Sequence, residues 1–238
     1  TLAKIAPLYN ALLNQRWVDS LMRKGLGMSD SPQLSRASVK KQLRAWGIAE
    51  ATPTSLALLT EQQRANSVII VQDAFTSHFE AKLVMDVVEL LSRLNLRVFV
   101  MPFSANGKPL QVQGFLGAFE RTAENQAKRL RALAEFEVPM VGIDPAMTLT
   151  YRQEYVKSLG AEQVPNVLML QEWLATRINT LAPSQLTLTD PGFKLLSHCT
   201  EKTNAPGSPN AWRQVFAAFG LELELMATGC CGMSGTYG

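Results

Sequence analysis

Residues 68–101, VIIVQDAFTSHFEAKLVMDVVELLSRLNLRVFVM, decide the fold. The stretch opens on a β-branched run, Val68 to Val71, and closes on a second apolar run, Val98 to Met101. Between them Phe79, Leu83, Val84, Val87, Leu90, Leu91 and Leu94 recur at helical spacing, and Ser77 with Glu80 offers a capping box for that helix. Strand, helix and strand in so short a stretch make a β-α-β unit, whose strands run parallel because the crossover helix returns the chain to the same end of the sheet.

The alternation continues outward. Phe115 to Phe136 reads as a long helix, Met140 to Ile143 as a buried strand, Thr148 to Leu159 as a helix, Val167 to Leu170 as a strand and Glu172 to Leu181 as a helix. After Pro183 the order restarts. Leu195 and Leu196 end a strand, Ser208 with Pro209 opens a helix through Phe219, and Leu221 to Met226 is a strand. A shift of about 125 residues lays Val71-Gln72-Asp73-Ala74 on Leu196-Ser197-His198-Cys199, Leu96 on Leu221, Met101 on Met226, and Ala105-Asn106-Gly107 on Cys230-Cys231-Gly232, without a gap. The expected fold is therefore α/β: duplicated β-α-β units in a parallel-sheet αβα domain, with an approximate internal two-fold.

Toward the start, Leu8, Leu12, Trp17 and Leu21 suggest one helix ending near Gly25 and Gly27, and Ser38 to Trp46 a second, with Pro53 closing the segment. Residues 1–66 carry nine basic against four acidic side chains, which a solvated helix face accounts for. Residues 1–65 are expected to be a helical connector packed on the main domain.

Of the 238 residues 47% are hydrophobic and 18% charged, which excludes a disordered chain, and no apolar run approaches the roughly 18 residues of a membrane helix. With a net charge of +3 and basic residues spread among acidic ones, the footprint of a nucleic-acid binder is missing. Three cysteines, two of them adjacent, suit a reducing compartment better than a disulfide framework, so a cytoplasmic setting is expected, with the periphery of the inner membrane left open. The chain starts on Thr1 and stops in the glycine-rich Gly235-Thr236-Tyr237-Gly238, and is expected to be a piece of something longer.

Chemistry concentrates in the second copy. Cys199 follows one strand, and Cys230-Cys231 follows the next within Gly229-Cys230-Cys231-Gly232-Met233-Ser234-Gly235. Parallel strands send both loops out of the carboxyl edge, where open α/β sheets place their sites, so the three sulfurs are expected to converge. Flanking glycines such as Gly229 and Gly232 let backbone N–H groups approach a buried anion such as an iron–sulfur cluster. Adjacent cysteines strain a single tetrahedral zinc but can reach two irons of a cluster. Buried structural thiols and a vicinal disulfide are the alternatives. His78 reads as a surface or capping residue in the first turn of a helix. His198 could tune a cluster sulfur, although strand alternation turns it to the opposite face from Cys199; Asp73 aligns with it. No Ser-His-Asp set, acid pair or G-x-G-x-x-G after a strand supports a hydrolase or a nucleotide-binding protein.

His198-Cys199-Thr200-Glu201-Lys202 followed by Gly229-Cys230-Cys231-Gly232-Met233-Ser234-Gly235-Thr236-Tyr237-Gly238 resembles the cysteine-rich CCG domain. That domain occurs in heterodisulfide reductase, in the iron–sulfur components of anaerobic glycerol-3-phosphate dehydrogenase and glycolate oxidase, and at the end of large FAD-linked oxidases. The look-alike is the last region of bacterial fusions of the D-lactate or D-2-hydroxyglutarate dehydrogenase type. The resemblance covers about residues 66 to 238, and implies a tandem repeat in which each copy offers one cysteine, a CCG and a later cysteine. It divides the chain into the connector, a first CCG-like repeat without cysteines over 66–183 and a truncated second repeat over 184–238. The first copy reads Ala74, Ala105 and Asn106 at the ligand positions and lacks the later cysteine near Asp144 to Met147, so it is expected to be a structural pseudo-repeat. In the second, Cys199, Cys230 and Cys231 are the implied metal ligands of a 4Fe-4S cluster, and a fourth is expected beyond Gly238.

The resemblance implies an electron-transfer module taking electrons from FAD elsewhere in the polypeptide, with FAD-binding and ferredoxin-like modules as partners and a downstream acceptor. A non-catalytic assembly domain with a structural metal or none is the second expectation. A thiol-redox enzyme ranks last, because no basic group is predicted beside the cysteine pair to lower its pKa.

Overall fold

The computed structural model describes residues 2–26, 32–181, 192–227 and 229. The arm begins with α1 (Leu2–Leu13) and α2 (Arg16–Leu26), so the single periodicity through Leu21 is broken at Asn14 and Gln15. Asn10 ties the arm together: its amide donates to the Leu34 carbonyl at 2.8 Å and accepts from the Leu34 N–H at 2.9 Å. Helix α3 (Val39–Ala45) lies where the sequence places it, and an edge strand absent from the sequence reading, β1 (Ala49–Glu50), follows. Pro53 starts α4 (Pro53–Ala57) instead of closing a segment, because proline needs no N–H in a first turn and Thr52 with Ser55 forms a capping box there. A second box, Thr60 with Gln63, starts α5 (Glu61–Ala65).

The first unit is β2 (Ser67–Val71), α6 (Ala74–His78), α7 (Ala81–Arg93) and β3 (Arg97–Val100). The expected Ser77–Glu80 capping box does not form. Asp73 caps a helix one turn earlier, accepting the Thr76 N–H at 2.9 Å, so Ser77 lies inside α6 and donates to Gln72 Oε1 at 3.0 Å. Glu80 precedes α7 without a side-chain cap. The chain continues through α8 (Lys108–Val112), α9 (Leu116–Ala134), β4 (Met140–Gly142), α10 (Pro145–Thr150), a π-helical turn (Tyr151–Tyr155), α11 (Val156–Leu159), β5 (Leu168–Met169) and α12 (Leu170–Leu181).

Five strands form one parallel sheet in the order β1-β3-β2-β4-β5. Alternate residues serve its two faces. Val68, Ile70, Val98, Val100 and Val141 pack with α3, α7 and α12, whereas Ile69, Val71, Phe99, Met101 and Met140 pack with Leu56 of α4, with α9 and with Tyr151 and Tyr155. Both faces are covered, which is why the strands read as unbroken apolar runs. The result is the expected α/β architecture with helices flanking a parallel sheet.

The second unit is β6 (Phe193–Leu195), α13 (Cys199–Asn204), α14 (Ser208–Ala218) and β7 (Leu223–Leu225). Its strands pair in parallel with each other and, among the described residues, form their own two-stranded sheet, separate from the five-stranded one. Lys194 and Glu224 stand at alternate positions and are exposed; burying them between two helical layers would strip them of water. The unit is attached instead through α14, whose Trp212 and Val215, with Phe219 just past its end, join Trp173 and Leu174 of α12 in the core. Among the described residues no helix is long and apolar enough to cross a membrane.

Candidate functional site

The two units share a register. Val68 pairs with Val98 and Phe193 with Leu223, so the shift of 125 residues carries one ladder onto the other. It also lays the start of α6 on that of α13, and Asp73 on His198. His198 lies beyond β6 and does not follow strand alternation: it caps α13, with Nδ1 accepting the Thr200 N–H at 3.2 Å. Cys199 is the first residue of that helix and half-buried. Because β6 and β7 are parallel, the chain leaves β7 at the edge from which Cys199 rises. Gly229 is exposed, and a Cβ there would meet nothing within 4 Å. Cys230, Cys231 and Gly232 lie outside the described residues. Among the described residues, which do not include those two cysteines, no three His, Cys, Asp or Glu side chains form a metal-holding group.

In the first unit the matched positions are filled by protein. Ala74 stands in place of Cys199. Asn106 is buried: its amide donates to the Met147 carbonyl at 3.3 Å, its side-chain oxygen accepts the Lys108 N–H at 3.1 Å, and its own carbonyl accepts the Tyr155 hydroxyl at 2.8 Å. The strand order puts the reversal of connection direction between β2 and β4, the place where such sheets open a crevice. Two carboxylates meet there. Asp73 accepts the Thr76 N–H and hydroxyl, and Asp144 accepts the Met147 N–H at 2.8 Å to cap α10. Gly142, ending β4, permits the approach of α10, since a Cβ would lie 2.1 Å from Thr148 Oγ1.

Burial pushes the Asp144 carboxyl up from its ordinary value; the Met147 N–H opposes this, Asp73 adds to it and His198 offsets it. His198 of the second unit therefore interacts electrostatically with the crevice of the first. His78 is the last residue of α6 and not in a first turn, because the helix starts at Ala74. Its ring meets Phe103 edge-on at 4.7 Å, and burial lowers its pKa against the opposing pull of Asp73.

Three further residues, one of them two positions past Cys199 on α13, form a buried polar group whose mutual bonding the sequence does not announce. Gln171, Glu201 and Ser208 are all buried and bonded to one another. Their separation by 30 and 37 residues leaves no local pattern, although a carboxylate two residues past a candidate ligand is a weak cue.

Comparison with known proteins sets this geometry in a larger context. The chain matches three curated relatives along its whole length, at 51% identity in Pseudomonas putida, 43% in Pantoea ananatis and 40% in Escherichia coli. All three are named D-2-hydroxyglutarate dehydrogenase. The chain resembles one region of such dehydrogenases. It spans about 23% of the length of each, so it corresponds to part of a longer polypeptide in those proteins. No family model matches the chain, and no solved structure matches it.

Within this region akin to D-2-hydroxyglutarate dehydrogenases, a partly open cavity of about 260 Å³ lies under the arm, with Cys199 not among its walls. Leu2, Ser38, Lys40, Gln72, His78 and Phe103 are among its walls, at the carboxyl ends of β1, β2 and β3. Among the described residues no cysteine lines it.

Proposed function

We propose that the chain is the iron–sulfur electron-transfer region of an FAD-dependent D-2-hydroxyacid dehydrogenase, with D-2-hydroxyglutarate as the substrate of the whole protein. The observation that carries the reading is the placement of Cys199 at the carboxyl edge of a parallel β pair, in a chain alike throughout to enzymes of that name. The donor set fits a cluster in kind: a half-buried thiol begins α13 at the edge where the chain leaves β7, and Cys230 and Cys231 follow β7 in the sequence. Cys199, Cys230 and Cys231 would hold the group, with one further ligand. A 4Fe-4S cluster supplies single-electron transfer when bound.

The substrate chemistry belongs to the flavin, elsewhere in the polypeptide. When bound, that flavin would supply the two-electron oxidation of the 2-hydroxy acid to a 2-oxo acid. This chain's residues hold and orient: His198 caps the helix that carries Cys199, and α14 anchors that helix to the five-stranded body. FAD-binding and ferredoxin-like modules of the same polypeptide are the proposed partners, in a cytoplasmic setting that includes the inner-membrane periphery.

Anaerobic reconstitution of the full-length polypeptide, read by iron content, visible absorbance and EPR, tests the proposal. Cys199→Ser together with Cys230→Ser and Cys231→Ser is expected to remove one cluster's iron and signal; unchanged iron and spectra would sink the reading.

One observation favours a second reading, a non-catalytic assembly domain with a structural metal or none. The first unit has replaced its ligand positions with packing, Asn106 being bonded to Met147 and Tyr155. A loss beyond about 3 kcal/mol of folding stability on replacing the three cysteines by alanine, the scale of a lost metal or a core cavity, would favour it.

A further inference from the structure

Two kinds of contact join the second unit to the rest of the chain. The α12–α14 seam is apolar, built from Trp173, Leu174, Trp212 and Val215. Apolar contact is strong but non-directional, so it holds α14 in place without fixing how α13 is turned. Around α13 the apolar contribution is small: Leu149, Met169 and Ala205 make a separate, minor cluster.

What meets α13 is a closed triangle of polar atoms. Ser208 Oγ donates to Glu201 Oε1 at 2.6 Å, Gln171 Nε2 donates to the same oxygen at 2.8 Å, and Gln171 Nε2 stands 2.7 Å from Ser208 Oγ. Glu201 is 3% exposed, Ser208 2% and Gln171 1%. Among the described residues no cation pairs with Glu201. Among the described residues the side-chain oxygen of Gln171 is buried without a partner. A carboxylate buried against neutral donors and an orphaned amide oxygen both cost folding free energy, so the triangle is a poor way to gain stability. Hydrogen bonds are directional, however, and these pin α12, α13 and α14 at one oxygen, two residues from Cys199 on a helix of six.

We propose that Gln171, Glu201 and Ser208 are positioning residues for Cys199, fixing the rotation of α13 on the five-stranded body at a cost in stability. This rests on the electron-transfer reading only for the use made of the thiol. Rotation of so short a helix moves its first side chain through a wide arc, and a cluster ligand must be held within a narrow one.

The test uses the metal-free 238-residue chain carrying Cys230→Ala and Cys231→Ala, so that Cys199 is the one thiol. Two readouts are taken: the alkylation rate with iodoacetamide and the thermal unfolding temperature. Replacing the triangle by apolar groups, Gln171→Leu with Glu201→Leu and Ser208→Ala, is expected to change the rate by about fivefold or more, the scale of one lost hydrogen bond, while the unfolding temperature stays or rises. Glu201→Gln keeps an acceptor for Ser208 and can offer an N–H to the orphaned Gln171 oxygen, so it is expected to keep the parental rate. An unchanged rate in the apolar variant overturns the proposal. So does a collapse of its unfolding temperature, which would make the triangle a source of stability, or a Glu201→Gln rate as altered as that of the apolar variant. Because no metal is present, these outcomes are separate from iron loading of the full-length polypeptide, which judges the electron-transfer reading.

Discussion

At the same place in two ladders of identical register, the first unit pairs Ile69 with Phe99 and the second pairs Lys194 with Glu224. Ile69 and Phe99 are buried under α9, whereas the lysine and glutamate form an exposed ion pair at 3.5 Å. Strand, short helix, longer helix and strand are alike in both, so local sequence suffices to specify that succession. Burial is different. The first unit lies at the centre of a sheet covered on both faces, while the second shows two strands among the described residues, a size that needs a packing partner to persist. Its partner is α12, reached through α14.

Matched substitutions sharpen this contrast. Phe99→Ala is expected to cost about 3–5 kcal/mol in denaturant unfolding, the range for emptying an aromatic core site. Its counterpart Glu224→Ala is expected to cost under about 1 kcal/mol, as for other exposed ion pairs. Similar losses at the two positions would mean that the second ladder is buried too, and the contrast would break. The caps come next. Asp73→Ala removes a buried cap with two bonds and is expected to cost about 0.5–2 kcal/mol. His198→Ala removes one bond at an exposed residue and should cost less, so the reverse order would show that the second unit's cap is the stronger.

The smallest effect concerns the crevice where the units meet. The Asp144 carboxyl is raised by burial, so the folded chain binds its proton more readily than the unfolded chain, and stability falls as pH rises through the folded value. Asp144→Asn keeps an oxygen for the Met147 N–H and removes the charge. Its unfolding temperature is expected to exceed the parent's at neutral pH, with the gap closing as pH falls toward the ordinary value of 3.8. A gap that does not vary with pH would place the effect elsewhere.

The sequence revealed most where side chains act locally. Val68 to Val71, Val98 to Met101 and Met140 to Ile143 are apolar on both faces and announce buried parallel strands, and the 125-residue register was visible because it needs no gap. Ala49 and Glu50 announce nothing, since two residues with no β-branched side chain join the sheet only through Phe99 and Val100. Asp73 caps α6 through the Thr76 N–H and hydroxyl, and Ser77, inside that helix, gives its hydroxyl to Gln72, a contact the local sequence does not announce. At the candidate site the sequence places Cys199 just past a strand, and the structure starts α13 on it. Ser208 was legible only as a helix start; its hydroxyl is committed to Glu201, a contact that tertiary packing creates.

The shared register also sets the terms on which the two units could be exchanged by recombination. A crossover at any matched position would preserve the pairing of Val68 with Val98 or of Phe193 with Leu223. The exchange is nonetheless one-way. Ile69 and Phe99 could occupy the exposed ladder as a pair of greasy surface residues, but Lys194 and Glu224 moved to the central sheet would be sealed under α9 with no water to solvate them. Descent from a common unit would thus leave the outer copy free to vary, and the inner copy confined to apolar letters.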